Sequence, residues 1–190
     1  MKIEIISGSP REQSNSRRVV LHLKKWFWEN TEHEVNIIDV SKWNLPLLQK
    51  VFVSVDAAPS LYKPLAERMF KADAFILVTP EYNGSYSPAL KNLLDHFPKQ
   101  HHKPFGIVTA SVNAFGGMRA SQQLLLLVAA LFGIVSPYML TIPFVDKTFS
   151  EDGKLLDERV AHNLHNFTTE FLWLTEKLVK QKEEAALIDC

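Results

Sequence analysis

Five short runs rich in Ile, Val and Phe, at residues 2–7, 34–40, 73–79, 104–110 and 136–144, alternate with five segments of helical spacing, at 16–30, 61–71, 87–97, 117–132 and 156–180. Apolar strands separated by helices cannot close into a sandwich of hairpins; they imply a parallel sheet with helices on both faces, joined by right-handed crossovers. The expectation is therefore a doubly wound α/β domain. A chain of 190 residues suits one such domain, placed over 1–180, with a flexible tail over 181–190. No repeat or low-complexity tract interrupts the pattern.

Composition removes several functions. Lys plus Arg and Asp plus Glu are 21 each, so no overall field draws the chain to nucleic acid or to an anionic membrane. The longest apolar run, 124–135, falls short of the roughly 20 residues that span a bilayer and is expected to be a core helix. No secretory signal opens the sequence, and a cytoplasmic protein is expected. Cys190 is the single cysteine, which excludes an internal disulfide, a CxxC pair and a cysteine-built metal site. His101-His102 and His162/His165 are incomplete ligand sets, so no metal is expected. The four tryptophans, Trp26, Trp28, Trp43 and Trp173, lie outside the candidate site loops and are expected to be packing residues.

In a doubly wound sheet the ligand sits beyond the carboxyl ends of the strands, where strand order reverses. Three loops then carry the chemistry. The first, "SGSPREQSNSRR" at 7–18, offers the hydroxyls of Ser7, Ser9, Ser14 and Ser16, the Arg11 guanidinium and a helix amino terminus, which together suit a phosphate. The competing reading is a serine N-cap beside a surface arginine. With neither GxGxxG nor GxxxxGK[ST] present, a monophosphate fits better than a dinucleotide or a triphosphate.

The second loop, "PEYNGSYSP" at 80–88, is pinned by Pro80 and by Pro88, with Ser87 a candidate N-cap. Asn83-Gly84 tolerates left-handed dihedrals and can turn backbone amides toward a planar polar ligand, with Tyr82 as an aromatic surface. A rigid turn whose tyrosine only packs is the alternative. In the third, "ASVNAFGGMRASQQL" at 110–124, Gly116 and Gly117 allow close backbone approach and Ser111 or Asn113 can hydrogen-bond a ligand. Arg119 falls in the first turn of the following helix and can equally face solvent or an interface.

"GSPREQS" (8–14), "PEYNGSYSPALKNLLD" (80–95) and "GGMRASQQL" (116–124), in this order relative to the strands, resemble the NAD(P)H-dependent FMN reductase family, of the quinone, azo and chromate reductase type. The resemblance implies a flavodoxin-like, five-stranded parallel sheet in the order 2-1-3-4-5. It implies an FMN whose phosphate rests on Ser9, Arg11, Ser14 and Ser16, with Pro80, Glu81, Tyr82, Asn83 and Gly84 along the isoalloxazine and Ser111, Gly116 and Gly117 at the ring's other end. The implied activity is hydride transfer from NADPH or NADH to FMN and on to a small-molecule acceptor such as a quinone, azo compound, metal oxyanion or free flavin. The flavin carries the chemistry, so no side chain is nominated as a general base. Departures from the family pattern are Pro10 in place of an apolar residue, Asn113 where glycine is common and Ser16 where asparagine is common.

The helix 117–132, with "LLLLVAALF", is apolar nearly all round and needs a second cover. A homodimer or homotetramer would provide it, and the resemblance implies one; the C-terminal helix, with Phe167, Phe171, Leu174 and Leu178, is the competing cover. A flavin-bearing electron carrier or redox sensor without nicotinamide-dependent turnover is the rival function, although a balanced charge lacks the one-signed surface a carrier uses to dock partners. A phosphate-binding domain that never meets flavin is a third.

Overall fold

The structure, a computed structural model, describes the backbone of residues 1–188 and side chains through Gln181. In chain order the elements are β1 (Lys2–Ser7), α1 (Asn15–Asn30), β2 (Glu34–Asp39), α2 (Lys63–Lys71), β3 (Ala74–Pro80), α3 (Pro88–Asp95), β4 (Pro104–Ala110), α4 (Met118–Ala130), β5 (Ile134–Val135), β6 (Leu140–Ile142), α5 (Val145–Thr148) and α6 (Ala161–Ile188). Of the tail expected over 181–190, the backbone as far as Ile188 ends α6, and Asp189 and Cys190 lie outside the described residues. All strand pairs are parallel, in the order β2-β1-β3-β4-β5, with β6 also on β4. This is the flavodoxin-like order.

The edge strand departs from expectation, since the run 136–144 is not one strand. Phe105 and Val108 of β4 pair with Val135 and Leu140, so four residues, 136–139, stand opposite two. Pro137 has no N–H to give the ladder, and the chain bulges there. Ser136 still donates its N–H to the Phe105 carbonyl at 2.8 Å. The last helix also starts later than the spacing suggests, at Ala161. A 3₁₀ turn, Glu158–Val160, precedes it, and the Asp157 side chain caps that turn by accepting from the Arg159 N–H.

Two cores sandwich the sheet. On one face Leu65 and Met69 of α2, Leu90, Leu93 and Leu94 of α3, and Leu124, Leu127 and Val128 of α4 pack against Ile6, Phe75, Leu77, Phe105 and Ile107. On the other, Val19, Leu23 and Phe27 of α1 and Leu164, Phe167 and Phe171 of α6 pack against Ile3, Ile5, Ile76, Val78 and Val108. The C-terminal helix is therefore on the opposite face from α4 and does not cover it. The outer side of α4 stays open, with Leu126 67% exposed beside exposed Ala129 and Ala130. The tryptophan expectation holds only in part. Trp26 and Trp43 pack at the core margins, whereas Trp28 and Trp173 are 77% and 56% exposed. Helical phase explains this, because Phe27 and Phe171 take the inward positions next to them. Among the described residues no helix is long and apolar enough to cross a membrane.

One polar contact interrupts this apolar packing. Glu4 of β1 is buried, and Arg68 of α2 grips it bidentately, Nε to Oε1 at 3.0 Å and Nη2 to Oε2 at 2.5 Å. Removing the arginine strands a buried carboxylate, which costs more than the pair contributes. Arg68→Ala is expected to lower unfolding free energy in urea by about 3 kcal/mol, the low end for a broken buried pair because Arg68 is partly exposed. Adding Glu4→Gln should return part of that loss.

Candidate active site

The register of β1, β3 and β4 brings their carboxyl ends level, with Ser7 opposite Val78 and Thr79 opposite Thr109. The three loops therefore emerge side by side. At the end of β1, Gly8 donates its N–H to the Val78 carbonyl at 2.8 Å, and its own carbonyl accepts from the Ser87 hydroxyl. Ser14 is the N-cap of α1 in extended conformation, yet its hydroxyl makes no capping bond and meets the Ser16 hydroxyl at 3.0 Å instead. The simple N-cap reading of this serine fails. No acidic residue occupies the first turn of α1 either; the Arg17 N–H donates to the Ser14 carbonyl at 3.2 Å, and the positive end of the helix has no side-chain cap from Ser14. Ser9 and Ser16 are buried there, and the Arg11 N–H reaches the Ser9 hydroxyl at 3.4 Å.

Arg11 also connects the first loop to the second, its guanidinium lying 5.1 Å from the Tyr82 ring centroid. The second loop is built as expected at both ends: Ser87 accepts from the Leu90 N–H at 3.0 Å, and Pro88 opens α3. Between them Tyr82 and Ser85 exchange backbone hydrogen bonds of 2.8 and 3.1 Å around Asn83 (φ 51°) and Gly84 (φ 82°), the signs of a type I′ turn. That exchange uses the Tyr82 and Ser85 amides, so fewer backbone donors face the crevice than the sequence suggested. The Asn83 and Gly84 amides stand outside the pair.

Glu81 behaves differently from the reading along the sequence. Its backbone stays in the second loop, but its carboxylate reaches across to α4, accepting from the N–H groups of Arg119 at 3.0 Å and Ala120 at 3.3 Å. The Arg119 guanidinium lies 3.7 Å away, largely in solvent. A signal for this was present. The N-cap of α4 is Gly117, which has no side chain to cap with, and its first turn has no acidic residue, so the cap must come from elsewhere. Sequence reasoning missed both the role of the Glu81 side chain and its target.

The third loop is held from below. Gly116 (φ 60°) and Gly117 (φ 87°) sit where added Cβ atoms would fall 2.9 Å from the Ile142 backbone and from Thr109 Cβ. No other residue fits both the dihedrals and the space. Ser111 and Asn113 shape the loop itself: the Ser111 Oγ accepts from the Asn113 N–H at 3.2 Å, and Asn113 Oδ1 accepts from the Phe115 N–H at 3.1 Å. Under these loops, Tyr82 Oη and Thr109 Oγ1 are buried without a hydrogen-bond partner among the described residues. A cavity of ≈ 500 Å³ lined by Asp73, His101, His102 and Leu178 lies at the amino ends of the strands, away from all three loops. In a doubly wound sheet ligands bind at the opposite, carboxyl end of the strands.

Residues 1–146 match the NADPH-dependent FMN reductase family model, and the chain belongs to that family. Among its curated relatives is the FMN-dependent NADPH-azoreductase of Staphylococcus aureus (strain USA300), 34% identical over 162 residues that cover 80% of this chain and 82% of the relative. The fold is also that of the flavoenzyme NAD(P)H:(acceptor) oxidoreductase FerB of Paracoccus denitrificans, with a TM-score of 0.78 at 24% identity over 93% of this chain and 97% of that one. An NADH:FMN oxidoreductase in its apo form shares it too, with a TM-score of 0.66 at 18% identity over 93% and 89%.

The Glu81 cap makes a measurable demand. Glu81→Ala is expected to destabilise the protein by about 1–2 kcal/mol in chemical denaturation, the value of a lost helix cap. Glu81→Gln, which keeps an accepting oxygen, should lose less than half of that.

Proposed function

We propose that the protein is an FMN-dependent oxidoreductase that takes reducing equivalents from NADPH or NADH and delivers them to a small-molecule acceptor such as a quinone, an azo compound, a metal oxyanion or free flavin. The observation that carries this reading is the start of α1 beside the three loops, where Ser14 makes no capping bond and no acidic residue stands in the first turn; beneath the loops Tyr82 Oη and Thr109 Oγ1 are buried without a hydrogen-bond partner among the described residues, as Ser136 Oγ is at the edge strand. An unpartnered buried polar group costs about 1–3 kcal/mol, so such a set marks a place for a ligand rich in hydrogen-bonding atoms. FMN matches, with a dianionic tail for the helix terminus and a flat head edged by donors and acceptors.

In this reading Ser9, Arg11, Ser14 and Ser16 hold the phosphate. Pro80, Glu81, Tyr82, Asn83 and Gly84 line the isoalloxazine through their backbone, with Tyr82 adding its ring and Glu81 acting through the cap on α4. Ser111, Gly116 and Gly117 close the far end. When bound, FMN accepts hydride from the nicotinamide and passes electrons to the acceptor. The chain's own part is to orient, to neutralise the phosphate and to keep water from the ring's edge.

The uncovered outer side of α4, with Leu126, Ala129, Ala130 and nearby Phe132, supports a homodimer or homotetramer formed through this helix. A cytoplasmic setting, where NADPH is available, completes the reading.

Anaerobic addition of NADPH to FMN-loaded protein should bleach the oxidised flavin band, and adding an acceptor should restore it. A protein that takes up no FMN, or whose yellow spectrum persists with both NADPH and NADH, contradicts the proposal. Arg11→Ala should weaken FMN binding about ten- to a hundredfold in fluorescence titration, as for one lost charged hydrogen bond.

A further inference from the structure

Beyond the third loop a second groove opens, ≈ 490 Å³ in volume, lined by Pro143, Phe144, Lys147, Thr148, Asp157 and Arg159. It adjoins the candidate active site through the backbone: the Phe144 N–H donates to the Asn113 carbonyl at 3.2 Å and the Val145 N–H to the Ser111 carbonyl at 3.0 Å. Phe144 is held in the left-handed region at φ 47°, a conformation that a bulky side chain rarely adopts. Its carbonyl is fixed there by the N–H groups of Lys147 and Thr148 at 2.8 and 2.9 Å and by the Thr148 hydroxyl at 3.0 Å. The outcome is an aromatic ring left 44% exposed at the groove. Such strain is kept where the surroundings impose it, and it concentrates at binding sites.

The cations are arranged around that ring. Lys147 Nζ lies 5.7 Å from its centroid. Arg159 pairs with Asp157, which accepts from Nε at 2.9 Å and from Nη2 at 2.7 Å, and its largely exposed guanidinium keeps the Nη1 edge for another acceptor. With Asp157 counted, the three charged groups sum to one net positive charge. An aromatic face flanked by an ammonium and a guanidinium suits a purine that carries a phosphate close by.

We propose that this groove receives the 2′-phosphoadenosine half of NADPH, with Phe144 against the base and Lys147 and Arg159 on the 2′-phosphate, and thereby sets a preference for NADPH over NADH. The inference rests on the flavin reductase reading above, because it assumes that the nicotinamide end of the same molecule reaches the flavin crevice next door. A 2′-phosphate carries about −1.5 to −2 charges near neutral pH, and the 2′-hydroxyl of NADH carries none. The groove's cations therefore discriminate on this one group.

Two measurements decide it. Calorimetry on FMN-loaded protein should show adenosine 2′,5′-bisphosphate binding at least about tenfold tighter than adenosine 5′-monophosphate. In steady-state kinetics, Arg159→Ala and Lys147→Ala should each lower the ratio of kcat/KM for NADPH to that for NADH about tenfold, with Arg159→Lys recovering part of the loss. Equal binding of the two probes, or a ratio that the substitutions leave alone because both nucleotides suffer alike, would overturn the assignment. If neither nucleotide reduces the flavin, the parent reading falls, and the calorimetric comparison alone then decides what the groove binds.

Discussion

Two side-chain junctions hold the three loops above the sheet as one frame. The Ser87 hydroxyl ties the second loop to the Gly8 carbonyl at the root of the first, and the Glu81 carboxylate ties the second loop to the start of α4. Both residues belong to the segment between Pro80 and Pro88, so that short stretch fastens the loop after β1 to the start of α4. Neither junction would form without the parallel register, which brings the ends of β1, β3 and β4 to one height. Fixing the loops before a ligand arrives removes ordering entropy from binding, which is what a rigid cofactor site requires.

The same segment shows how local rules are broken where a ligand belongs. A helix normally caps its own amino terminus, yet α1 has a serine in place that does not cap, and α4 starts at a glycine that has nothing to cap with. The two cases are resolved differently. A carboxylate from a neighbouring loop completes α4, so its terminus is structural. No side-chain cap from Ser14 completes α1, so its terminus is open to an anion. The buried hydroxyls of Tyr82 and Thr109 extend the same pattern inward. Departures from self-sufficiency of this kind are expected at functional sites; away from the three loops, Ser136 Oγ is likewise buried without a partner among the described residues, and α2 starts without a side-chain cap.

Much of the architecture was legible because the apolar runs are short, fully buried and regularly spaced; strand order followed once the loop motifs pointed to a flavodoxin-like sheet. What the sequence hid was long-range. Pro137 signalled trouble in the edge strand, but the size of the bulge depends on how β4 pairs on either side of it. The phase of α6 could be read from Phe167 and Phe171, whereas the face of the sheet that it covers could not, and that face decides whether α4 is left open. In the site, the Asn83-Gly84 turn and the Ser87 cap were visible as local patterns. The destination of the Glu81 side chain was not, since its partners are N–H groups 38 and 39 residues away. Nor did any pattern in the sequence announce the left-handed Phe144, which only the packing of α5 against the third loop reveals.

The central claim is that the charged tail of FMN sits on the open amino terminus of α1 while main-chain groups of the second and third loops edge its ring. A crystal structure of the FMN complex tests it most directly. The account predicts phosphate oxygens within hydrogen-bonding distance of the α1 first-turn amides, the Ser9, Ser14 and Ser16 hydroxyls and the Arg11 guanidinium, with the ring between the Asn83-Gly84 turn and Gly116-Gly117. Density for the phosphate at any other place, or an α1 terminus closed over by the protein's own side chains, would contradict it.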